Sequence, residues 1–336
     1  MERKKTETPI VGITVGDVAG IGAEVVVKAL QHENVFDLCR PLVIGDARIF
    51  KTERFAARHP NVQTVNDLHT ASFAAGTLTV LDLHNLDPET VTVGEVNAPA
   101  GRAAVAYVLK AAELALGGKI DAMTTAPLNK AAMQAAGYDY IGHTELLTDV
   151  TGASACTTML ATPGLRVTHV TRHIPFKEIA AQITLDNVLN TIMVTHRGLL
   201  DLGYAKPRLA LAGLNPHNGE DGLLGHEEIE VLRPAARAAQ AQGIDIEGPI
   251  PADSVFFQAI RGDYDAVVTL YHDQGHIAVK THDFEHSITI TLGLPIVRTS
   301  ADHGTAFDIA GRGIAHEYSM LAALKEAARI AERKTD

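Results

Sequence analysis

The chain has 336 residues, 46% of them apolar and 21% charged, which suits roughly two globular domains of about 150 residues each. Its 29 Lys and Arg face 40 Asp and Glu, and the net charge of −11 argues against nucleic acid or an anionic membrane as a partner. Cys39 and Cys156 stand far apart in apolar surroundings, which excludes a disulfide framework and a CxxC metal site. No apolar run approaches the ~18 residues that a membrane helix needs. The polar start, Met1–Thr8, lacks the apolar core of a signal peptide and reads as a solvated tail, so the expected location is cytoplasmic.

In chain order, Pro9–Val15 reads as a strand, followed by a Gly-rich turn and a helix over Ile21–Leu30. Strands are expected at Pro41–Ile44 and Thr77–Leu83. The Ala-rich segment Pro99–Leu116 is a helix that stops at Gly117-Gly118. A buried strand over Ile120–Thr124 leads to Pro127, which is well placed in a first helical turn. Further strands fall at Cys156–Leu160, Arg166–Val170, Arg208–Ala212, Asp265–Leu270, Ser287–Leu292 and Pro295–Arg298. Helices fall at Leu185–Leu202, Gly225–Ala241 and His316–Glu332. Such alternation predicts an α/β fold with a largely parallel sheet.

Polar residues of special conformation concentrate just after the predicted strands, where open α/β sheets bind ligands. His173, His217 and His272 each lie at a strand end or in the loop that follows. Neutral imidazole is the commonest metal ligand, and three around one ion leave positions open for a substrate. Their long-range spacing makes no local motif. His59, His69, His84, His282, His286 and His316 stand in polar surroundings and read as ordinary surface residues. Asp253 and Asp273 are candidate proton acceptors, although Asp253 also reads as the N-cap of the following helix. The turn Gly16-Asp17-Val18-Ala19-Gly20-Ile21-Gly22 is not GxGxxG and fails as a dinucleotide fingerprint. It reads instead as a tight turn lining a cleft. The loop 299–313 contains His303-Gly304-Thr305-Ala306-Phe307-Asp308-Ile309-Ala310-Gly311. It resembles the loop that cradles the adenosine of NAD or NADP in isocitrate and isopropylmalate dehydrogenases. That likeness makes His303, Gly304, Thr305, Ala306 and Asp308 candidate cofactor contacts.

Several longer motifs, in order along nearly the whole chain, extend the likeness. They are Gly142-His143-Thr144-Glu145, Thr171-Arg172-His173-Ile174-Pro175, Gly213-Leu214-Asn215-Pro216-His217, Pro251-Ala252-Asp253, Tyr271-His272-Asp273-Gln274-Gly275 and the run from Thr291 to Gly304. With them the sequence resembles the 4-hydroxythreonine-4-phosphate dehydrogenase family. The resemblance implies a two-lobed, isocitrate dehydrogenase-like α/β fold with the active-site cleft between the lobes. The first lobe would take residues 1–130 with 290–336, and the second, with the metal site and dimerisation surface, residues 131–289. It implies His173, His217 and His272 as ligands of one divalent ion, with Zn²⁺ the best fit and Co²⁺, Mn²⁺ or Mg²⁺ as alternatives. It implies His143, Thr144, Lys280, Thr289 and Arg298 as substrate contacts, NAD or NADP as cofactor, and a homodimer that builds each metal site from both subunits. In an acidic protein, Lys280 and Arg298 would concentrate the positive charge that an anion needs.

Two departures bear on the substrate. Thr289 stands where the family usually has Asn, and the first turn reads Gly-Asp-Val-Ala-Gly rather than Gly-Glu-Pro-Ala-Gly. The Gly16-Asp17 form is similar to relatives that act on 4-phosphorylated D-threonate or D-erythronate, and another relative oxidises a cis-dihydrodiol carboxylate. The implied reaction is oxidation of a 4-phosphorylated 3-hydroxy acid, of the 4-phosphooxy-L-threonine type, to a β-keto acid that loses carbon dioxide. A zinc hydrolase would also use three histidines but has no need of the 299–313 loop, and an acyl-phosphate transferase has no need of the histidines.

Overall fold

The computed structural model describes residues 8–56 and 61–335, so the N-terminal tail up to Glu7 and His59 lie outside the described residues. Ile10–Thr14 forms β1 with every residue buried, as a strand covered on both faces requires. Helices α1 (Gly22–Ala29) and α2 (Asn34–Leu38) lead to β2 (Arg40–Gly45), then α3 (Glu53–Ala56), β3 (Val62–Val65) and β4 (Leu78–Asp82). Helix α4 (Ala98–Leu116) starts where the Asn97 side chain accepts the Ala100 amide and Pro99 occupies the first turn. Then come β5 (Ala122–Thr125), α5 (Lys130–Ala135), α6 (His143–Thr151), β6 (Thr157–Thr162), β7 (Leu165–His169), α7 (Ile179–Gln182), α8 (Leu185–Asp201) and β8 (Arg208–Ala212). A π turn (Glu228–Leu232) runs into α9 (Arg233–Gln240), followed by β9 (Asp245–Ile250), α10 (Ala252–Ile260), β10 (Ala266–Thr269) and α11 (His272–His282). The chain closes with β11 (Ile288–Leu292), β12 (Arg298–Ala301) and α12 (Tyr318–Thr335).

The chain divides into two compact units, Met1–Ser154 with Leu294–Asp336, and Ala155–Gly293. In the first, the strands follow the order β3-β4-β2-β1-β5-β12, with every pairing parallel. In the second, the order is β11-β6-β7-β10-β8-β9. There β7, β10, β8 and β9 are mutually parallel, while β6 runs antiparallel to both β7 and β11. The α/β class with mostly parallel strands is as the alternation of apolar runs predicts.

Three differences from the sequence reading have physical causes. Segment 131–154 belongs to the first unit and not the second, because α5 and α6 both pack on α4. A Cβ on Gly101 of α4 would sit 2.2 Å from the Ala132 carbonyl oxygen, so the backbones of α4 and α5 touch. The last strand lies at Arg298–Ala301 rather than Pro295–Arg298. Its hydroxyls pair with those of β5, Thr299 to Thr124 at 3.0 Å and Ser300 to Thr125 at 2.9 Å, whereas Pro295 has no amide to offer a ladder. The segment read as one helix over Gly225–Ala241 opens instead with the π turn.

Alanine raises helix propensity over glycine, yet Gly101→Ala should destabilise the protein by about 1–3 kcal/mol, the range for overpacking against an unyielding neighbour. Chemical denaturation measures it. A variant as stable as the parent would show that α4 and α5 are not in backbone contact.

Candidate functional site

In the second unit, β7, β10 and β8 are adjacent and parallel, so their C-terminal ends share one edge. His173 follows β7, His272 opens α11 directly after β10, and His217 lies in the loop after β8. The rings of His173 and His272 are 5.7 Å apart between centroids. His272 Nδ1 lies 2.6 Å from Asp273 Oδ1, which fixes a tautomer with Nδ1–H toward the carboxylate and leaves Nε2 for a ligand. Asp273 thereby orients the ring. Asp253 sits exposed inside the first turn of α10 rather than at its cap, a position held by Pro251. Lys280, in the last turn of α11, donates to Ser287 Oγ at 2.9 Å and lies over the Phe284 ring, and Thr289 is half-buried in β11.

His217 is exposed and belongs to a left-handed turn. His217, Asn218, Gly219, Glu220 and Asp221 have φ of 52°, 58°, 73°, 43° and 53°. Such a backbone costs about 1–2 kcal/mol for each non-glycine residue, so it persists only where its surroundings over-determine it. Asn218 Nδ2 donates to the Pro249 carbonyl at 2.6 Å, and Glu228 accepts from the amides of Leu214 and Asn215 at 2.8 and 2.7 Å.

Two histidines that the sequence reading passed over lie behind His272. His276, one helical turn along α11, stacks on the His272 ring with centroids 3.6 Å apart, and its Nδ1 is 3.1 Å from His169 Nε2. His169 is buried, and burial, with the neighbouring imidazoles adding to it, holds its pKa well below the usual range. A Cβ on Gly275 would lie 2.5 Å from His169 Nε2, so glycine there makes room for the ring. The i, i+4 pair of histidines was the available sequence signal.

In the first unit, β1, β5 and β12 are likewise adjacent and parallel. The turn after β1 meets the loop after β12, where Ile21 N donates to the Thr305 carbonyl at 3.0 Å, and a Cβ on Gly20 would lie 2.6 Å from that oxygen. Thr305 is buried, Ala306 has φ of 42°, Asp308 is exposed, and a Cβ on Gly304 would meet only open space. His303 keeps its Nδ1 3.1 Å from the Gly304 carbonyl oxygen. Small residues around open space fit a loop that admits a nucleotide closely.

Arg298 is buried, its Nη2 donating to Thr125 Oγ1 at 2.6 Å. Burial pushes its pKa down to about 9 against the pull of Glu145. His143, the first residue of α6 and next to Thr144, is half-buried as a whole, but its Nε2 is out of solvent and has no hydrogen-bond partner among the described residues. Burial, with the Arg298 charge beside it, holds that imidazole well below its usual pKa. Two basic side chains set side by side out of water, with the Arg298 charge disfavouring protonation of His143, form a site that an anion would relieve.

Among the described residues, the one group of His and acids whose ligand atoms all lie within 4.8 Å of one another is Asp46, Asp82 and His84, not the histidine trio. It is already satisfied. Arg48 grips Asp46 through Nε and Nη2 at 3.0 and 2.7 Å, and Asp82 Oδ1 accepts the Ala47 and His84 amides.

Against protein families, residues 37–327 match the one described as pyridoxal phosphate biosynthetic protein PdxA. The chain is 48% identical to D-threonate 4-phosphate dehydrogenase of Cupriavidus necator, over 97% of this chain and 98% of that protein. Among solved structures, 4-hydroxythreonine-4-phosphate dehydrogenase from Burkholderia phymatum is 46% identical with a TM-score of 0.85, covering 97% of this chain and 99% of that one. The Klebsiella pneumoniae structure of the same description is 40% identical with a TM-score of 0.89, covering 96% and 100%.

Asp17, in the turn after β1, is wholly buried; Oδ1 accepts the Ala19 amide at 2.9 Å and Oδ2 has no hydrogen-bond partner among the described residues. Burial, only partly opposed by that amide, raises its pKa to about 6. A folded-state value above the unfolded one makes the native protein the tighter proton binder. The contribution of Asp17 to stability should therefore be greatest below about pH 4 and fall by on the order of 3 kcal/mol as pH rises through about 6. Asp17→Asn should remove that dependence. Parallel stability–pH curves for the two proteins between pH 4 and 7 would rule out a buried, proton-binding carboxylate.

Proposed function

The chain belongs to the family of pyridoxal phosphate biosynthetic protein PdxA, and on that premise we propose that this dehydrogenase oxidises a 4-phosphorylated 3-hydroxy acid, with 4-phospho-D-threonate first among the substrates. The observation that carries the anionic substrate is the buried pair of Arg298 and His143. The Cupriavidus relative and the Gly16-Asp17 turn support the sugar acid, which reverses the order in which the sequence alone placed it and 4-phosphooxy-L-threonine. A cis-dihydrodiol carboxylate would leave the phosphate contacts without a purpose.

The donor set suits a divalent ion of the zinc type, because three imidazoles lie in the segments that follow three neighbouring parallel strands and one already has Nδ1 committed to a carboxylate. When bound, the ion would polarise the hydroxyl under oxidation, and NAD or NADP, held by His303, Gly304, Thr305, Ala306 and Asp308, would accept the hydride. The chain's own groups do the rest. Asp273 holds the His272 ring in place. Arg298, His143, Thr144, Lys280 and Thr289 bind and orient the substrate's anionic ends. Since Asp273 is engaged by His272, we assign the hydroxyl proton to Asp253. Oxidation beside the carboxylate-bearing carbon gives a β-keto acid, which then loses carbon dioxide.

We further propose that the working unit is a homodimer. Phe176, Leu223, Phe257, Ile277 and Phe284, all in the second unit, are each more than half exposed, which suits a self-complementary apolar surface. The trio's failure to gather within one chain agrees with a ligand lent by a second copy.

With a divalent ion and NAD or NADP, absorbance at 340 nm should rise with 4-phospho-D-threonate and more slowly with 4-phosphooxy-L-threonine. Chelation should abolish the signal, and Arg298→Ala should raise KM about 10- to 100-fold, as loss of a charge-assisted hydrogen bond does. No reduction of NAD or NADP with any phosphorylated hydroxy acid would overturn the reading. For the dimer, mixing inactive His217→Ala and His272→Ala proteins should regenerate activity, because one of the two hybrid sites would be intact. Background activity from subunits shown to exchange would place all three ligands in one chain.

A further inference from the structure

We propose that Glu228 is the positioning residue for His217, its buried carboxylate locking the left-handed loop that carries the imidazole. The functional consequence rests on the metal reading of His217 given above. Glu228 is 0% exposed, and among the described residues it pairs with no Lys or Arg. Its charge is instead met by donors of the loop itself. Oε1 accepts the amides of Leu214 and Asn215 at 2.8 and 2.7 Å, and Oε2 accepts Asn215 Nδ2 at 2.9 Å. These are the residues immediately before Pro216 and His217. On the far side of the histidine, a Cβ on Gly219 would lie 3.0 Å from Glu228 Oε2, so the left-handed turn rests on the same carboxylate.

A carboxylate buried without a cation is an expensive way to fill space, and neutral or apolar side chains would do so at less cost. What the charge supplies is several strong, directed acceptor positions converging on one short stretch of backbone. The helix start is arranged around this. Glu228 opens the π turn Glu228–Leu232, and the preceding Glu227 also takes the Asn215 amide group, at 2.7 Å. Such turns are uncommon and recur at functional sites. Without this lock, residues 217–221, with φ between 43° and 73°, are left to the Asn218–Pro249 bond and to contacts within the turn such as His217–Glu220 at 3.3 Å, and the His217 imidazole would be aimed less firmly.

The test uses the full-length protein with Zn²⁺ as the probe. Glu228→Ala should weaken Zn²⁺, measured by competition with a chromophoric chelator, by about 10- to 100-fold, the usual effect of losing a group that orients a ligand. Amide exchange at Leu214, Asn215, Leu223 and Leu224 should rise, while affinity for NAD or NADP stays unchanged. Glu228→Gln, which keeps an acceptor at Oε1, should fall between, and it serves if the alanine variant does not fold. His217→Ala separates the two readings. If His217→Ala loses Zn²⁺ while both Glu228 variants keep wild-type affinity and exchange, the positioning role is overturned and the metal reading stands. If His217→Ala binds Zn²⁺ normally, the metal reading fails, and unchanged exchange in Glu228→Ala would overturn the lock as well.

Discussion

Parallel pairing of neighbouring strands is the constraint on which the candidate site depends. A parallel neighbour points its C-terminal end the same way, so the loops leaving three adjacent strands begin side by side. In the second unit this places the segments carrying His173, His272 and His217 next to one another, although 99 residues of chain separate the first from the last. In the first unit the same rule brings the turn after β1, the Pro127 turn after β5 and the Thr305 loop after β12 into hydrogen-bonding contact. Antiparallel pairing of these strands would send alternate loops to opposite edges. The antiparallel pairs that do occur, β6 with β7 and with β11, contribute only Thr289 to the candidate residues.

Within that frame, the polar groups divide by whether the protein satisfies them. Asp46 is buried, but Arg48 and the Leu86 amide use its oxygens, so it has no capacity left and its cluster with Asp82 and His84 is structural. Arg298 and His143 differ. Burial lowers both pKa values; Glu145 partly offsets this for Arg298, and the Arg298 charge in turn works against protonation of His143. Burying a base is unfavourable, and an anionic ligand would offset part of that cost on arrival. The same logic separates Asp273, spent on His272, from Asp253, which is equally exposed but forms no such pair among the described residues.

Much of the fold was legible because buried parallel strands leave short apolar runs, and Arg208–Ala212 could be read to the residue. Strand β9 was not, because Asp245, Glu247, Gly248 and Pro249 interrupt its apolar pattern, and β3 was too short and polar. The placement of His173, His217 and His272 after neighbouring strands was legible from the apolar runs that precede them. Glu228 was not. In a segment that reads as an amphipathic helix, a glutamate belongs on the solvated face, and only the π turn carries this one into the interior. His169 was masked differently, since a lone imidazole at the end of a strand gives no sign of the His276 ring that meets it from another element.

The division between reaction and substrate follows from the same physics. Oxidising a hydroxyl beside a carboxylate requires a polarised oxygen, a hydride acceptor and a bound anion, and the proposed reaction assigns each requirement to a different group of residues. The two substrates under comparison differ at one carbon, which bears an ammonium in 4-phosphooxy-L-threonine and a hydroxyl in 4-phospho-D-threonate. Phosphate contributes about −1.5 to −2 and carboxylate one further negative charge, so the sugar acid is the more anionic by about one unit. Arg298 and His143 are positive-capable groups whose charge burial opposes. The ligand with the larger uncompensated negative charge returns more of that lost stability to them. A buried Arg298 beside a buried imidazole thus favours an anionic ligand, and this electrostatic argument joins the Gly16-Asp17 turn in supporting the proposed preference for the phosphorylated sugar acid.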